Sequence, residues 1–294
     1  MEETARTYTT LSRGLDKRLV SMRLWEKAKR LGIWDSASVD LSQDLRDWQQ
    51  LSAREQDLLL RLTAQFQGGE EAVTTDLLPF LQVAAAEGRL EDEMFLTSYL
   101  WEEAKHVEAF DRFLSEVVDR PVALEDFLTS AHHQLFLALE QDVSTFATDS
   151  TPENYLRAAV TYQMVVEGIL AETGYQAYYT VLREREILPG MQEIVQLIQR
   201  DEARHIAYGL YTIGRLLNED GDERWSIVEN RVQELLPVVL AIIEETLAPF
   251  GEEIPFGITA DQFLQIGMGQ FQKRFARLES MRGQSLDEIM YGVS

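Results

Sequence analysis

Cysteine is absent from the 294 residues. That excludes disulfides, thiolate metal sites, iron–sulfur clusters and a cysteine nucleophile together. Proline (7) and glycine (17) are scarce, and so few breakers over this length favour long helices. Basic residues are outnumbered: 27 Lys and Arg face 50 Asp and Glu, for a net charge of −23. A surface of that sign repels nucleic acid phosphates and anionic membranes, so neither is expected as a partner. Long apolar runs are missing too. The longest, around Leu235 to Ile243, is far short of a membrane span and contains Pro237. Met1 to Arg6 carries no basic stretch leading into an apolar core, so no signal peptide is predicted and a cytoplasmic location is expected. What remains is rich in core material: 45% hydrophobic and 10% aromatic residues argue against disorder.

Apolar residues recur at three- and four-residue spacings, with no period-two alternation. Short helical pieces and loop are expected to about residue 50. A long helix is predicted from Ala53 to about Ala86, ended by Gly88, and a second from Leu90 to Val118. A third is predicted over Leu124 to Phe146. A fourth, with Pro152 in its first turn, extends to about Arg185. Pro189-Gly190 separates it from a fifth, Met191 to Leu217; Asn218 to Asp222 reads as a loop. Two more helices follow, about Arg224 to Leu247 and Thr259 to Met281, and the polar last dozen residues are expected to be loose. No linker divides the chain. Residues 1–294 read as one all-α domain, a bundle with additional helices.

Two of the four histidines have a glutamate three positions earlier: Glu103-Ala104-Lys105-His106 and Glu202-Ala203-Arg204-His205. On a helix such a pair lies on one face and can grip one ion from one side. One pair alone reads as a solvent-exposed contact. Di-metal bundles need two such helices and one further acid from each of two others. The fourth helix offers Glu167, within the apolar stretch Met164-Val165-Val166-Glu167-Gly168-Ile169-Leu170. A lone charge there is costly without a partner. The first helix offers Glu70 or Glu71 after Gly68-Gly69, and the residues alone divide evenly between them. Four carboxylates and one imidazole per ion suit iron and manganese better than zinc or copper. Asp201, beside Glu202, is placed to support a ligand histidine from behind. His132 and His133 have no ligand partner at helical spacing and read as surface or structural.

The pattern resembles the ferritin-like di-metal carboxylate superfamily, and more closely the small subunit of class I ribonucleotide reductase. The segment Trp34-Asp35-Ser36-Ala37-Ser38-Val39-Asp40 carries that likeness at the N-terminus. It implies a link from Trp34 through Asp201 to His106. Most such subunits have a radical tyrosine one turn after the first ligand histidine, where this chain has Phe110. The chain is also short for such a subunit, and Tyr291 is a weak signal for a docking tail.

Gly69-Glu70-Glu71-Ala72-Val73 and Tyr162 fit a second branch better: the ligand-binding oxidases similar to that subunit. This resemblance implies manganese held by Glu70, Glu103 and His106, and iron held by Glu167, Glu202 and His205. Di-iron is the alternative. It further implies a bound long-chain fatty acid, an oxidative ether cross-link between Val73 and Tyr162, dioxygen as oxidant and a homodimer. Spacing does not support all of this. Tyr162 lies five residues from Glu167, about 140° around an ideal α-helix, so its approach to the site does not follow from the pattern. Without the resemblance, Val73 and Tyr162 read as core packing. Tyr175 is a further candidate neighbour of the site, and Phe110, Leu170 and Met164 are expected along an apolar tunnel. The function expected is an oxygen-activating di-metal oxidase. The alternative is a ribonucleotide reductase small subunit without a radical tyrosine.

Overall fold

A computed structural model describes residues 8–219 and 224–292. Asp220, Gly221 and Asp222 of the expected loop lie outside the described residues. Among those residues the chain forms helices and no strand. Four rods build the centre: α4 (Ala53–Asp76), α6 (Leu90–Arg112), a composite rod, and α10 (Pro189–Glu219). The composite rod runs through α8 (Pro152–Ala159), a π segment (Val160–Ala171) and α9 (Glu172–Glu184) without a break. α4 packs on α6, and α10 packs along the π segment and α9. Outside these lie α7 (Ser130–Thr148), α11 (Trp225–Leu247) and α12 (Ala260–Met281), while α2 (Val20–Leu31) crosses α6 and α10. No helix among the described residues is long and apolar enough to cross a membrane.

Local chemistry sets the ends of the rods. Ser52 and Glu55 form a reciprocal capping box at the start of α4. The start of α10 is capped by another element. In α3 (Ser42–Gln50), the Asp44 carboxylate accepts the N–H groups of Gly190 (2.9 Å) and Met191 (2.8 Å), and Asp47 accepts that of Leu188 (2.8 Å). Buried acids facing orphan N–H groups at a helix start stabilise it. Gly190 permits the approach, since a Cβ there would lie 2.7 Å from Leu41 Cδ2 and 2.8 Å from the Asp40 carbonyl oxygen.

Three predicted elements differ from those observed. The first long helix is divided at Leu77 into α4 and α5 (Leu78–Ala86), because Pro79 has no N–H to continue the ladder. The third begins later: Leu124–Phe127 is a 3₁₀ turn, and Thr129 caps α7 through the His132 N–H. The described part of the C-terminal stretch is helical rather than loose: Ser285 and Glu288 cap α13 (Leu286–Tyr291), which buries Ile289 against α10, while Val293 and Ser294 lie outside the described residues.

Candidate metal centre

The four rods turn six side chains toward one another. α4 brings Glu70, α6 brings Glu103 and His106, the π segment brings Glu167, and α10 brings Glu202 and His205. All six are at most 5% exposed. Glu71, the other candidate on α4, faces solvent. Glu70, Glu103, His106 and Glu202 present ligand atoms within 4.8 Å of one another, as do Glu103, Glu167, Glu202 and His205. Glu103 and Glu202 therefore belong to both groups, so each could serve an ion in either half.

Both imidazoles point Nδ1 inward. His106 Nδ1 lies 3.2 Å from Glu70, 3.4 Å from Glu202 and 3.7 Å from Glu103. His205 Nδ1 lies 2.9 Å from Glu103 and 3.5 Å from Glu202. Yet His205 Nδ1, both carboxylate oxygens of Glu103, Oε1 of Glu167 and Oε2 of Glu202 have no hydrogen-bond partner. Orphaned buried groups of this polarity are costly unless something else satisfies them.

The electrostatics point the same way. Burial, then repulsion from Glu70 and Glu202, pushes the Glu103 carboxyl up to about 7. Burial, then Glu202 and Glu103, drives Glu167 well above the usual range. Burial opposes charge on the imidazoles, but Glu70 beside His106 and Glu202 beside His205 outweigh it and hold both pKa values well up. The cavity is an anionic cage whose donors suit hard or borderline cations, with one nitrogen per half. The residues fit a pair of iron or manganese ions.

A surrounding layer fixes this cage. Trp34 Nε1 donates to Asp201 Oδ2 (2.7 Å), which faces His106 Nε2 at 3.5 Å. The Trp34 ring stacks against His106 at 6.1 Å. Tyr175 donates its hydroxyl proton to Glu70. Phe110 sits behind it, stacked on Phe66 at 5.4 Å. Tyr162 donates its hydroxyl proton to the Val73 backbone carbonyl oxygen at 3.4 Å, which brings the phenol up to this residue of α4. The π segment explains why spacing did not foresee this. Its hydrogen bonds run five residues back, as from the Glu172 N–H to the Glu167 carbonyl, so residues five apart, such as Tyr162 and Glu167, stack on one face.

The pattern of the sequence missed several members. Glu102 is fully buried and holds His205 Nε2 at 2.8 Å. The available signal was that Asp201 can back only one imidazole, so the other needs its own acid. Tyr99 stacks on His205 at 3.6 Å and donates to Glu167. Lys105 Nζ bonds Asp201 (3.0 Å) and the Gly32 carbonyl (2.7 Å) and lies 4.2 Å from the Trp34 ring centroid. His132 is buried and stacks on Phe136, while His133 is exposed; neither joins the cage.

An apolar cavity opens onto all four acids of the cage, its walls including Leu62, Phe66, Val73, Leu170, Ile243 and Phe263. Phe110 and Met164, expected along a tunnel, do not line it. Phe110 is covered by Phe66 and Tyr175, and Met164 is buried in the hydrophobic core.

A helical bundle whose central rods converge on such a cage is a ferritin-like di-metal carboxylate protein. The family of the ribonucleotide reductase small chain matches residues 21–265. An R2-like ligand-binding oxidase with aerobically reconstituted Mn/Fe cofactor is 34% identical, over 93% of this chain and 97% of its own, with a TM-score of 0.89. A valine-to-isoleucine variant, also with aerobically reconstituted Mn/Fe cofactor, is 33% identical over 93% and 99%, at 0.89. A valine-to-leucine variant with the cofactor reconstituted anaerobically is 35% identical over 93% and 98%, at 0.86. The chain belongs to the ribonucleotide reductase small-chain family, and within it to the R2-like ligand-binding oxidases.

Proposed function

We propose that this protein is an oxygen-activating oxidase with a mixed manganese/iron site. Glu70, Glu103 and His106 hold manganese, and Glu167, Glu202 and His205 hold iron; di-iron is the alternative occupant. The observation that carries this reading is the cage itself: two groups of ligand atoms, each within 4.8 Å, that share Glu103 and Glu202. When bound, the metal pair supplies the capacity to reduce dioxygen and to oxidise a nearby C–H bond.

The chain's own residues prepare the rest. Tyr99 and Tyr175 orient Glu167 and Glu70 by hydrogen bonds. The apolar cavity excludes water and accepts an acyl chain whose carboxylate faces the cage. A long-chain fatty acid is the ligand class of that shape. Tyr162, whose hydroxyl lies 3.4 Å from the Val73 carbonyl oxygen, and Val73 are the pair to be joined. The phenol O–H and a valine C–H are lost, a C–O bond forms, and two electrons and two protons pass to dioxygen. The working form is a homodimer.

Intact mass on protein assembled with manganese, iron and air tests this. A loss of two hydrogens, mapped to the peptides holding Val73 and Tyr162, is expected. An unchanged mass after proven metal loading and air exposure overturns the cross-link.

The family match over residues 21–265 favours a second reading, a ribonucleotide reductase small subunit in which Phe110 stands four residues after His106. Reductase activity on mixing with a large subunit would support it.

A further inference from the structure

The two imidazoles turn their outer nitrogens onto acids that meet at a single guanidinium. Glu102 Oε2 lies 2.8 Å from His205 Nε2, and Glu102 Oε1 accepts Arg204 Nη2 at 2.6 Å. The same nitrogen donates to Asp201 Oδ1 at 2.5 Å, and Asp201 Oδ2 faces His106 Nε2 at 3.5 Å. A polar belt thus runs His205–Glu102–Arg204–Asp201–His106, from one half of the cage to the other, hydrogen-bonded up to Asp201 and ending in the 3.5 Å approach of Asp201 to His106. Glu102 and Asp201 are fully buried, and Arg204 is 3% exposed. The chain closes over this belt at Gly32. A Cβ there would lie 2.0 Å from Glu102 Oε1 and 3.0 Å from Arg204 Nη2, so only glycine lets the loop lie flat on it.

Stability does not explain such a belt. Well-packed apolar residues of similar volume are often as stabilising as a buried ionic triad, or more so. Its value lies in orientation, since acids behind a metal-bound imidazole fix its ring and tune its basicity. The belt is also lopsided. Asp201 Oδ2 takes Trp34 and Lys105 as well, spreading its charge, whereas Glu102 is held by Arg204 and His205. His205 therefore has the closer and less distracted acceptor.

Resting on the di-metal reading above, we propose that Arg204 is a positioning residue that couples the two half-sites. By clamping Glu102 and Asp201 with one nitrogen it fixes both imidazoles, so the binding of each ion depends on acids behind the other.

Anaerobic titration of the metal-free protein with Mn(II) alone tests this, with unbound Mn(II) counted by its electron paramagnetic resonance signal. Wild type is expected to bind two ions per chain. Arg204→Met weakens both steps, by about tenfold or more each. Glu102→Gln weakens binding more than Asp201→Asn, and the double variant loses less than the product of the two single losses. Should Arg204→Met not fold, as read by circular dichroism of the metal-free form, that non-additivity decides alone. Both steps within twofold of wild type in Arg204→Met, loss of one step only, or independent effects of Glu102→Gln and Asp201→Asn overturns the coupling. Failure of wild type to bind two ions overturns the di-metal reading instead.

Discussion

Stripping the metal and raising the pH puts the anionic cage under a strain whose size follows from its geometry. In the metal-free protein the Glu103 carboxyl is held up to about 7 by burial and by Glu70 and Glu202, against 4.5 ordinarily. Between those values the folded chain keeps a proton that the unfolded chain has released. The stability this contributes is complete below 4.5 and lost as the pH rises through 7. At about 1.4 kcal/mol per tenfold in affinity, it is worth about 3 kcal/mol. Glu167, also raised, acts with the same sign. So do His106 and His205, whose raised values extend the loss to higher pH. Glu70 and Asp201, held below their ordinary values by His106, lose their contribution only as the pH falls, outside this window. A chain of this size shifts its melting temperature by about 2 °C per kcal/mol, so Glu103 alone lowers the metal-free Tm by about 6 °C between pH 5 and pH 7.5. Loaded protein escapes this, because ions bind the ionised carboxylates, and each ion at about a thousand times its Kd adds about 4 kcal/mol. Calorimetry on chelator-treated and reloaded protein at both pH values reads the difference. The gap in Tm widens from pH 5 to pH 7.5; a gap that is constant or narrows refutes the reasoning.

Glu167→Ala is expected to remove the ion of the His205 half, read as roughly one metal per chain by elemental analysis, and full retention would show that Glu167 is not a ligand. Gly190→Ala pushes a methyl against Leu41 and the Asp40 carbonyl, and by overpacking costs about 1–3 kcal/mol. Its midpoint in urea falls while metal content stays; an unchanged midpoint contradicts the close approach. Leu170→Trp fills the apolar cavity, so an acyl chain carried by the wild type disappears from the organic extract while both metals remain. Extraction of equal ligand from this variant would place the binding site elsewhere.

Much of this site could be read from spacing alone, and the reasons for the exceptions are physical. Glu103, His106, Glu202 and His205 lie on straight α-helices, where three-residue spacing fixes a common face. Glu167 stood out as a single charge among apolar neighbours. Tyr162 did not, because the pattern assumes 3.6 residues per turn and the rod widens there into a π segment. Lys105, Arg204 and Glu102 carry no signal of their own, because nothing in a linear pattern reports that α2 and the Gly32 turn cover them. The break at Leu77 was legible in Pro79 and was passed over because the apolar rhythm continues across it.

The shared wall between cavity and cage has a thermodynamic consequence. In the function proposed above, Glu70, Glu103, Glu167 and Glu202 would be at once the ligands of one guest and the floor beneath another. Any factor by which an acyl occupant tightens the grip on the ions must equal the factor by which the ions tighten the grip on the occupant. If the two guests help one another, starving the protein of metal would also loosen its hold on an acyl chain, and delipidation would be felt as a looser hold on manganese and iron.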